Sequence, residues 1–494
     1  MHLRILKSKL LELPLNNLQS SVRTLSSSLP PTSYKPKNHE SLTKDEIVKI
    51  HRENLNPCLL YLYRDPPVLV SGKMQYVWDR DGHRYLDMFG GIVTTSVGHC
   101  HDRLVKVLKE QAEKLWHTSS LYLIDEVHRY AAKLVEKFPK HLKNVFFCNS
   151  GSEANELALL MARLHTRGND IIGLRNCYHG CSPTTMSLLS IGSWKYPIPQ
   201  SPGILHTPCP DPYRGRFGGK NCRDSLIQTN KTCECAQNEC QACDMYIEDL
   251  QEIMNSGVPR ESFAGFIAES IQGVGGFVQF PKDYIRRAYD LVKKSGGVFI
   301  IDEVQTGFGR LGTHYWGFES HGIVPDIVTM AKGIGNGFPL SAVVTTDEIA
   351  SSMKKAYFFN TFGGNPLASR VGLEVLQIID DEKMMEKSRT LGEKLILGLA
   401  KLRDSYPDVV GDVRGKGLMI AVELIKSAAS REPITSEGFA DILENLKDHS
   451  LLIGKGGTYG TVLRITPPMC INEQDVDYTL QVIDKVISDH SKRR

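Results

Sequence analysis

Val298-Phe299-Ile300-Ile301-Asp302-Glu303-Val304-Gln305-Thr306-Gly307, followed closely by Ile327-Val328-Thr329-Met330-Ala331-Lys332-Gly333, decides how this chain folds. Each half begins as a short apolar, β-branched run, meets a charged residue and then reaches glycine. Runs of that kind lack the polar alternation of a half-exposed strand and read as buried strands of a largely parallel sheet. Ligands of such sheets bind beyond the carboxyl ends of the strands. Asp302 and Lys332 are therefore expected at neighbouring strand exits, facing one crevice.

An acid and an amine placed in this way would make an ordinary ion pair if nothing accompanied them. Gln305, however, follows Asp302 across a turn, and Lys332 sits among Gly333, Gly335 and Gly337, which let a planar ligand approach the backbone. Upstream, Asn144 to Cys148 reads as a strand that runs into Asn149-Ser150-Gly151-Ser152-Glu153-Ala154. The helix begun there carries Ala154, Leu157, Ala158, Met161 and Leu164 on one face, with Gly168 as its expected stop. Gly151 and Ser152 at such a start form a plain N-cap, and equally a cradle of N–H groups for a phosphate. A reactive lysine, an aspartate and a phosphate cradle together are what pyridoxal phosphate requires.

The remaining sequence bounds the class. At 494 residues and 41% hydrophobic, the chain can build a large core and at least two domains. A net charge of +3 points to no nucleic-acid partner. No apolar run approaches the ~20 residues that span a membrane, so no membrane partner is expected. Residues 1–35 carry Arg4, Lys7, Lys9, Arg23 and Lys35 against the single acid Glu12, with recurring leucines and a serine cluster. This is the pattern of a mitochondrial transit peptide, with a processing site near Arg23-Thr24-Leu25-Ser26.

Thr43 to Glu46 is a capping box. Strands are expected around 68–70, 75–79 and 84–86, in a segment 36–90 that joins a smaller domain. Alternating strands and helices over 91–375 predict a large α/β domain, and 376–494 reads as a smaller α+β domain. Its strands are expected at 417–423, 451–454 and 461–465. Of the 12 cysteines, Cys209, Cys222, Cys233, Cys235, Cys240 and Cys243 crowd the stretch 209–243. Cys233-x-Cys235 and Cys240-x-x-Cys243 have zinc-like spacing. Their neighbours Gly218, Gly219, Asn230, Lys231, Asn238 and Glu239 make the stretch read as an exposed insertion, its thiols expected to be ordinary with no metal, ahead of a zinc site or a disulfide, which stay open.

Three motifs in one order, Ile301 to Gly307, Ala331-Lys332-Gly333 and Asn360-Thr361-Phe362-Gly363-Gly364-Asn365-Pro366, resemble those of class III (ω-type) aminotransferases of fold type I. The resemblance covers about residues 45 to 490 and implies pyridoxal 5'-phosphate as cofactor. It makes Lys332 and Asp302 the catalytic pair: Lys332 holds the cofactor and moves a proton, and Asp302 faces the pyridine nitrogen. Tyr178 and Val304 would flank the ring, with His179 beside it as a possible packing neighbour. Gln305 would donate to the phenolic oxygen, and Gly151 and Ser152 would hold the phosphate. Thr361 would reach the phosphate from the neighbouring subunit of a homodimer, so that active sites are shared, and assembly to a tetramer is open. Arg464 would hold the substrate α-carboxylate, pairing with Glu269 when no carboxylate is present. Glu303 would be structural.

Three departures from the family pattern stand out. His101-Asp102 replaces His-Pro, Ser270 replaces the proline usual after Glu269, and Val274 stands where ornithine-type relatives carry an acid. The last favours a small α-amino donor. Transfer of an amino group from alanine or a similar amino acid to glyoxylate or pyruvate is therefore expected, by a ping-pong cycle between amino-acid and 2-oxo-acid substrates. The alternative is a phospho-lyase acting on phosphoethanolamine-like amines. It needs a second basic pocket that no residues here suggest. A non-catalytic scaffold would have no use for Asp302, Gln305 and Lys332 together.

Overall fold

The structure, a computed structural model, describes residues 29–37, 41–236 and 239–493. Most of the expected leader, with its processing site, lies outside the described residues. Its last part belongs to the folded unit: Arg84 Nη2 donates to the carbonyls of Leu29 and Pro30 at 3.3 and 2.8 Å. Tyr34 also packs on Trp78, ring centroids 5.1 Å apart.

Seven strands form the large sheet, in the order Asn144–Cys148, Ser341–Thr345, Ile327–Met330, Val298–Asp302, Phe263–Glu269, Asp170–Leu174, Ile204–Thr207. Ser341–Thr345 is antiparallel to both neighbours, and the other pairings are parallel. The central strand shows why its sequence has no polar alternation. Val298 and Ile300 pack on the face covered by Ala154, Leu157, Ala158 and Met161 of the helix Gly151–Thr166. Phe299 and Ile301 point the other way, into the core that contains Ile285, Ala288 and Val292 of the helix Tyr284–Lys294. Burying each such side chain stabilises the fold by ~1.5–3 kcal/mol.

The helix Gly151–Thr166 stops one residue earlier than Gly168 suggested. Arg167 takes the left-handed cap conformation, φ 64°. Gly168 is instead required by close packing, since a Cβ there would meet the Phe263 backbone at 2.7 Å.

Two four-stranded sheets build the smaller part. Leu69–Lys73, Tyr76–Asp79 and Arg84–Asp87 are antiparallel, and Leu451–Leu452 adds in parallel, so the N-terminal segment and the C-terminal region share a sheet. Val410–Lys416, Met419–Leu424, Val462–Ile465 and Gly454–Gly456 make the other, wholly antiparallel. The strand expected to begin at Gly417 begins at Met419, because Gly417 (φ 55°) turns a hairpin whose first strand the sequence had hidden. The expected boundary at 375 falls inside the helix Pro366–Asp381, a continuous element with buried residues along most of its length.

The stretch 209–243 is not an exposed insertion. Cys222, Arg223 and Cys243 are buried, and Arg223 reaches Asp412 of the C-terminal sheet with Nη1 at 3.1 Å and Nη2 at 2.5 Å. Glycines and polar residues had suggested a surface loop; the ion pair and the apolar thiols instead draw it inward. Among the described residues, no helix is long and apolar enough to cross a membrane.

Candidate active site

Parallel register assembles the site. Glu269 is paired with Asp302, and Asp302 with Thr329, so three polar side chains line up at the carboxyl ends of adjacent strands. Lys332 follows where the third strand leaves the sheet, in the left-handed region at φ 51°. A non-glycine residue there stores backbone strain of the kind found at functional sites.

Asp302 is 3% exposed, and its burial is offset by hydrogen bonds. Oδ1 accepts from the Val304 N–H at 2.9 Å. Oδ2 accepts from Asn155 Nδ2 at 2.8 Å and lies 2.8 Å from His179 Nδ1, which must carry its proton because a carboxylate only accepts. His179 is therefore more than a packing neighbour. Burial opposes its charge, but Cys177 and Asp302 outweigh that and hold its pKa well above the ordinary value.

Asn155 was not singled out in the sequence. Its amide also donates to the His179 carbonyl at 2.8 Å, and its Oδ1 accepts from Thr329 Oγ1 at 2.7 Å. The available signal was one polar residue beside the apolar face of its helix, since buried polar groups need partners.

Arg464, on the strand Val462–Ile465, is buried with its guanidinium 4.7 Å from the Phe277 ring centroid. Its Nη2 donates to Gln305 Oε1 at 2.6 Å, while Nε has no partner among the described residues. Burial lowers its pKa to about 10, against the opposing pull of Glu269, so it stays cationic at neutral pH. The expected Arg464–Glu269 ion pair is absent among the described residues. Glu269 instead accepts backbone N–H groups, Gly273 at 2.7 Å and Tyr178 at 3.3 Å. Burial pushes its pKa up to about 7, which weakens its claim on the arginine. Gln305 likewise meets Arg464 with its oxygen.

Lys332 has its pKa lowered to about 8, by burial first and by the Arg464 cation second, with Asp302 and Glu269 opposing. Such an amine is partly neutral near physiological pH and is a competent nucleophile and base.

The helix Gly151–Thr166 opens beside these strands: a Cβ on Gly151 would meet Val304 at 3.3 Å and Ala331 at 3.6 Å. Ser150 is the N-cap, its side chain accepting from the Glu153 N–H. Ser152 Oγ accepts from the Cys181 N–H at 3.1 Å. Gly180 is required there, because a Cβ would come within 2.5 Å of Ser152 Oγ. Tyr178 is partly buried over this corner, edge-on to Trp194 at 5.4 Å. Thr361 is not brought into the site of its own chain. It is exposed, within a surface run that also exposes Tyr357, Phe358, Phe359 and Phe362. Its neighbour Asn360 is tied to the cradle helix through Glu153 Oε2 at 3.0 Å.

Glu303 points away and is structural. It accepts from Ser270 Oγ and Thr306 Oγ1, both at 2.6 Å, and from the Gly317 and Phe318 N–H groups at 2.9 and 2.8 Å. Ser270, unexplained in the sequence, thus satisfies a buried carboxylate that proline could not reach.

The donor set fits pyridoxal phosphate. A helix N-terminus with open N–H groups suits a phosphate dianion, a buried carboxylate suits a protonated pyridine nitrogen, and an amine of lowered pKa adjoins both. An anion-binding cradle, that carboxylate and a lysine of lowered pKa at the strand ends of a fold type I sheet suit an enzyme that uses pyridoxal phosphate.

The chain belongs to the aminotransferase class-III family, which matches residues 64–487. It is similar to human alanine–glyoxylate aminotransferase 2, mitochondrial, at 48% identity over 467 residues, 94% of this chain and 90% of that protein. It is 35% identical over 455 residues to ethanolamine-phosphate phospho-lyase homolog 1 of Caenorhabditis elegans, covering 90% and 94%. Among solved structures, a thermostable (S)-enantioselective omega-transaminase from Thermomicrobium roseum matches with a TM-score of 0.80 and 31% identity, over 91% of this chain and 100% of that one. The protein is a class III aminotransferase.

Proposed function

We propose that this enzyme carries the amino group of alanine, or of a similarly small α-amino acid, to glyoxylate or pyruvate, with pyridoxal 5'-phosphate as cofactor. The carrying observation is Arg464: a buried cation whose side-chain hydrogen bond goes to a neutral amide, Gln305, and whose Nε is unpartnered among the described residues. A buried guanidinium in that state favours a carboxylate, which it can hold through two charge-assisted bonds. Val274 adjoins it: a Cβ on Gly456 would lie 3.4 Å from the Val274 carbonyl and against the Arg464 side chain. No acid stands at that position to receive a distal ammonium. The stronger identity to an alanine–glyoxylate aminotransferase than to a phospho-lyase homologue supports the same reading.

When bound, the cofactor supplies an electron sink for negative charge at the substrate Cα. Gly151 and Ser152 would hold its phosphate, Asp302 its ring nitrogen, Tyr178 and Val304 its faces, and Gln305 its phenolic oxygen. His179 and Asn155 keep Asp302 oriented. Arg464 fixes the carboxylate of the amino acid, and Lys332 Nζ takes up and returns the proton of its Cα. Donor and acceptor both need Arg464 and Lys332, so they occupy the site in turn and the kinetics are ping-pong. Thr361 and the exposed aromatic run around it would serve a partner copy, giving a homodimer with shared sites. The mitochondrial relative and the basic leader support a place in the mitochondrial matrix.

The test is amino-donor profiling of the purified enzyme with glyoxylate and with pyruvate as acceptors. Alanine and glyoxylate should give pyruvate and glycine, with parallel-line initial-rate plots. Phosphate release from phosphoethanolamine without amino transfer would overturn the proposal.

A further inference from the structure

Outside this site the stretch 209–243 folds so that several of its cysteine sulfurs meet. Cys222 Sγ lies 3.9 Å from Cys233 Sγ and 3.8 Å from Cys235 Sγ, and all three sulfurs fall within 4.8 Å of one another. Thiolates bound at ~2.3 Å to one tetrahedral ion stand ~3.8 Å apart. A disulfide would need ~2.05 Å. Cys240 brings a fourth sulfur close by: its Sγ is 3.8 Å from the Cys222 carbonyl oxygen. Cys240 is also the N-cap of the helix Gln241–Glu252. The set differs from the four cysteines the spacing offered, because Cys243 is buried in the hydrophobic core and Cys222 takes its place.

We propose that Cys222, Cys233, Cys235 and Cys240 form a tetrathiolate site for one zinc-class divalent ion, which cross-links the loop beside the Arg223–Asp412 ion pair. Soft thiolate ligands in tetrahedral array select zinc among common divalent ions. Each cysteine gives up its proton on binding. Cys233 Sγ, now 2.7 Å from the Lys220 carbonyl oxygen, turns from that oxygen toward the ion. The ion would fix the residue next to Arg223, whose partner Asp412 also accepts from Arg414 at 2.9 Å. Arg414 in turn donates to the Gly276 carbonyl at 2.7 Å, beside the Phe277 that packs on Arg464. The site is thus a staple that supports the substrate arginine from behind.

The experiment uses the cofactor-loaded enzyme, purified under reducing conditions. Elemental analysis should find about one zinc per chain. Cys222→Ser and Cys235→Ser should each lose most of it, whereas Cys243→Ser should keep it, with cofactor absorbance confirming that each variant is folded. In case the serine variants fail to fold, the wild-type enzyme is exchanged into Co2+, which should give thiolate-to-cobalt charge transfer and tetrahedral visible bands. The proposal is overturned by wild-type enzyme that holds less than about a tenth of an equivalent and takes up neither Zn2+ nor Co2+. It is equally overturned by a Cys222→Ser/Cys235→Ser enzyme that retains full zinc, or by a metal-free enzyme in which peptide mapping finds these cysteines joined as disulfides.

Discussion

Arg464 and Gln305, 159 positions apart in the chain, meet through a single hydrogen bond of 2.6 Å from the guanidinium to the amide oxygen. A neutral acceptor occupies the cation without neutralising it, so the charge is preserved for a substrate carboxylate. Arg464→Ala should therefore lower kcat/KM for alanine by a factor corresponding to ~2–4 kcal/mol, with simple amines spared. Steady-state kinetics with alanine and a carboxylate-free amine check this, and an unchanged kcat/KM for alanine would assign the carboxylate to another group.

His179 is a positioning residue for Asp302. His179→Ala removes a hydrogen bond to a charged group, worth ~1.5–3 kcal/mol, and should cut kcat about 10- to 100-fold. His179→Asn, which restores a donor, should recover part of the loss. Equal defects in the two variants would point to lost packing.

The lowered pKa of Lys332 has a definite sign. Below about 8 the amine is protonated and unreactive; above it the neutral form prevails. The rate at which cofactor-free enzyme captures pyridoxal phosphate should rise with pH and level off above about 8. Because Arg464 is one cause of the lowering, Arg464→Gln should move this limb to higher pH. A rate flat from about pH 6 to 9 would exclude this assignment.

Ser270→Ala leaves one oxygen of buried Glu303 with one donor fewer. The enzyme should lose about 1–2 kcal/mol of stability in urea unfolding with little change in kcat. A large fall in kcat at normal stability would give Glu303 a role in chemistry.

If Thr361 serves the partner's cofactor, a Thr361→Ala chain paired with a Lys332→Ala chain builds one intact site and one lacking both groups. Doubly tagged heterodimers should then show about half of native activity. Loss of a phosphate hydrogen bond, ~1.5–3 kcal/mol, should leave the Thr361→Ala homodimer impaired. Heterodimers with only half the Thr361→Ala homodimer's activity would place Thr361 in its own chain's site.

The sequence by itself determined the parallel core and the chemistry at its edge. Buried strands such as Val298 to Ile301 announce themselves because both faces must be apolar, and strand exits are where a parallel sheet binds ligands. Asp302, Lys332, Gly151 and Ser152 were legible for that reason. Gln305, Arg464, Glu269 and Thr361 came from family motifs.

Only the tertiary structure decided which distant side chains meet. His179 and Asn155 converge on Asp302 because two strand-to-helix connections open at the same sheet edge, a juxtaposition that leaves no local periodicity. Glu269 faces backbone N–H groups instead of Arg464, because the turn through Gly273 folds back over its carboxylate. Cys222 joins Cys233 and Cys235, where spacing alone favoured Cys243, because burial of Arg223 against Asp412 anchors that part of the loop. Local pattern reports which face of an element is apolar; long-range packing and the need to pair every buried charge select its polar partners.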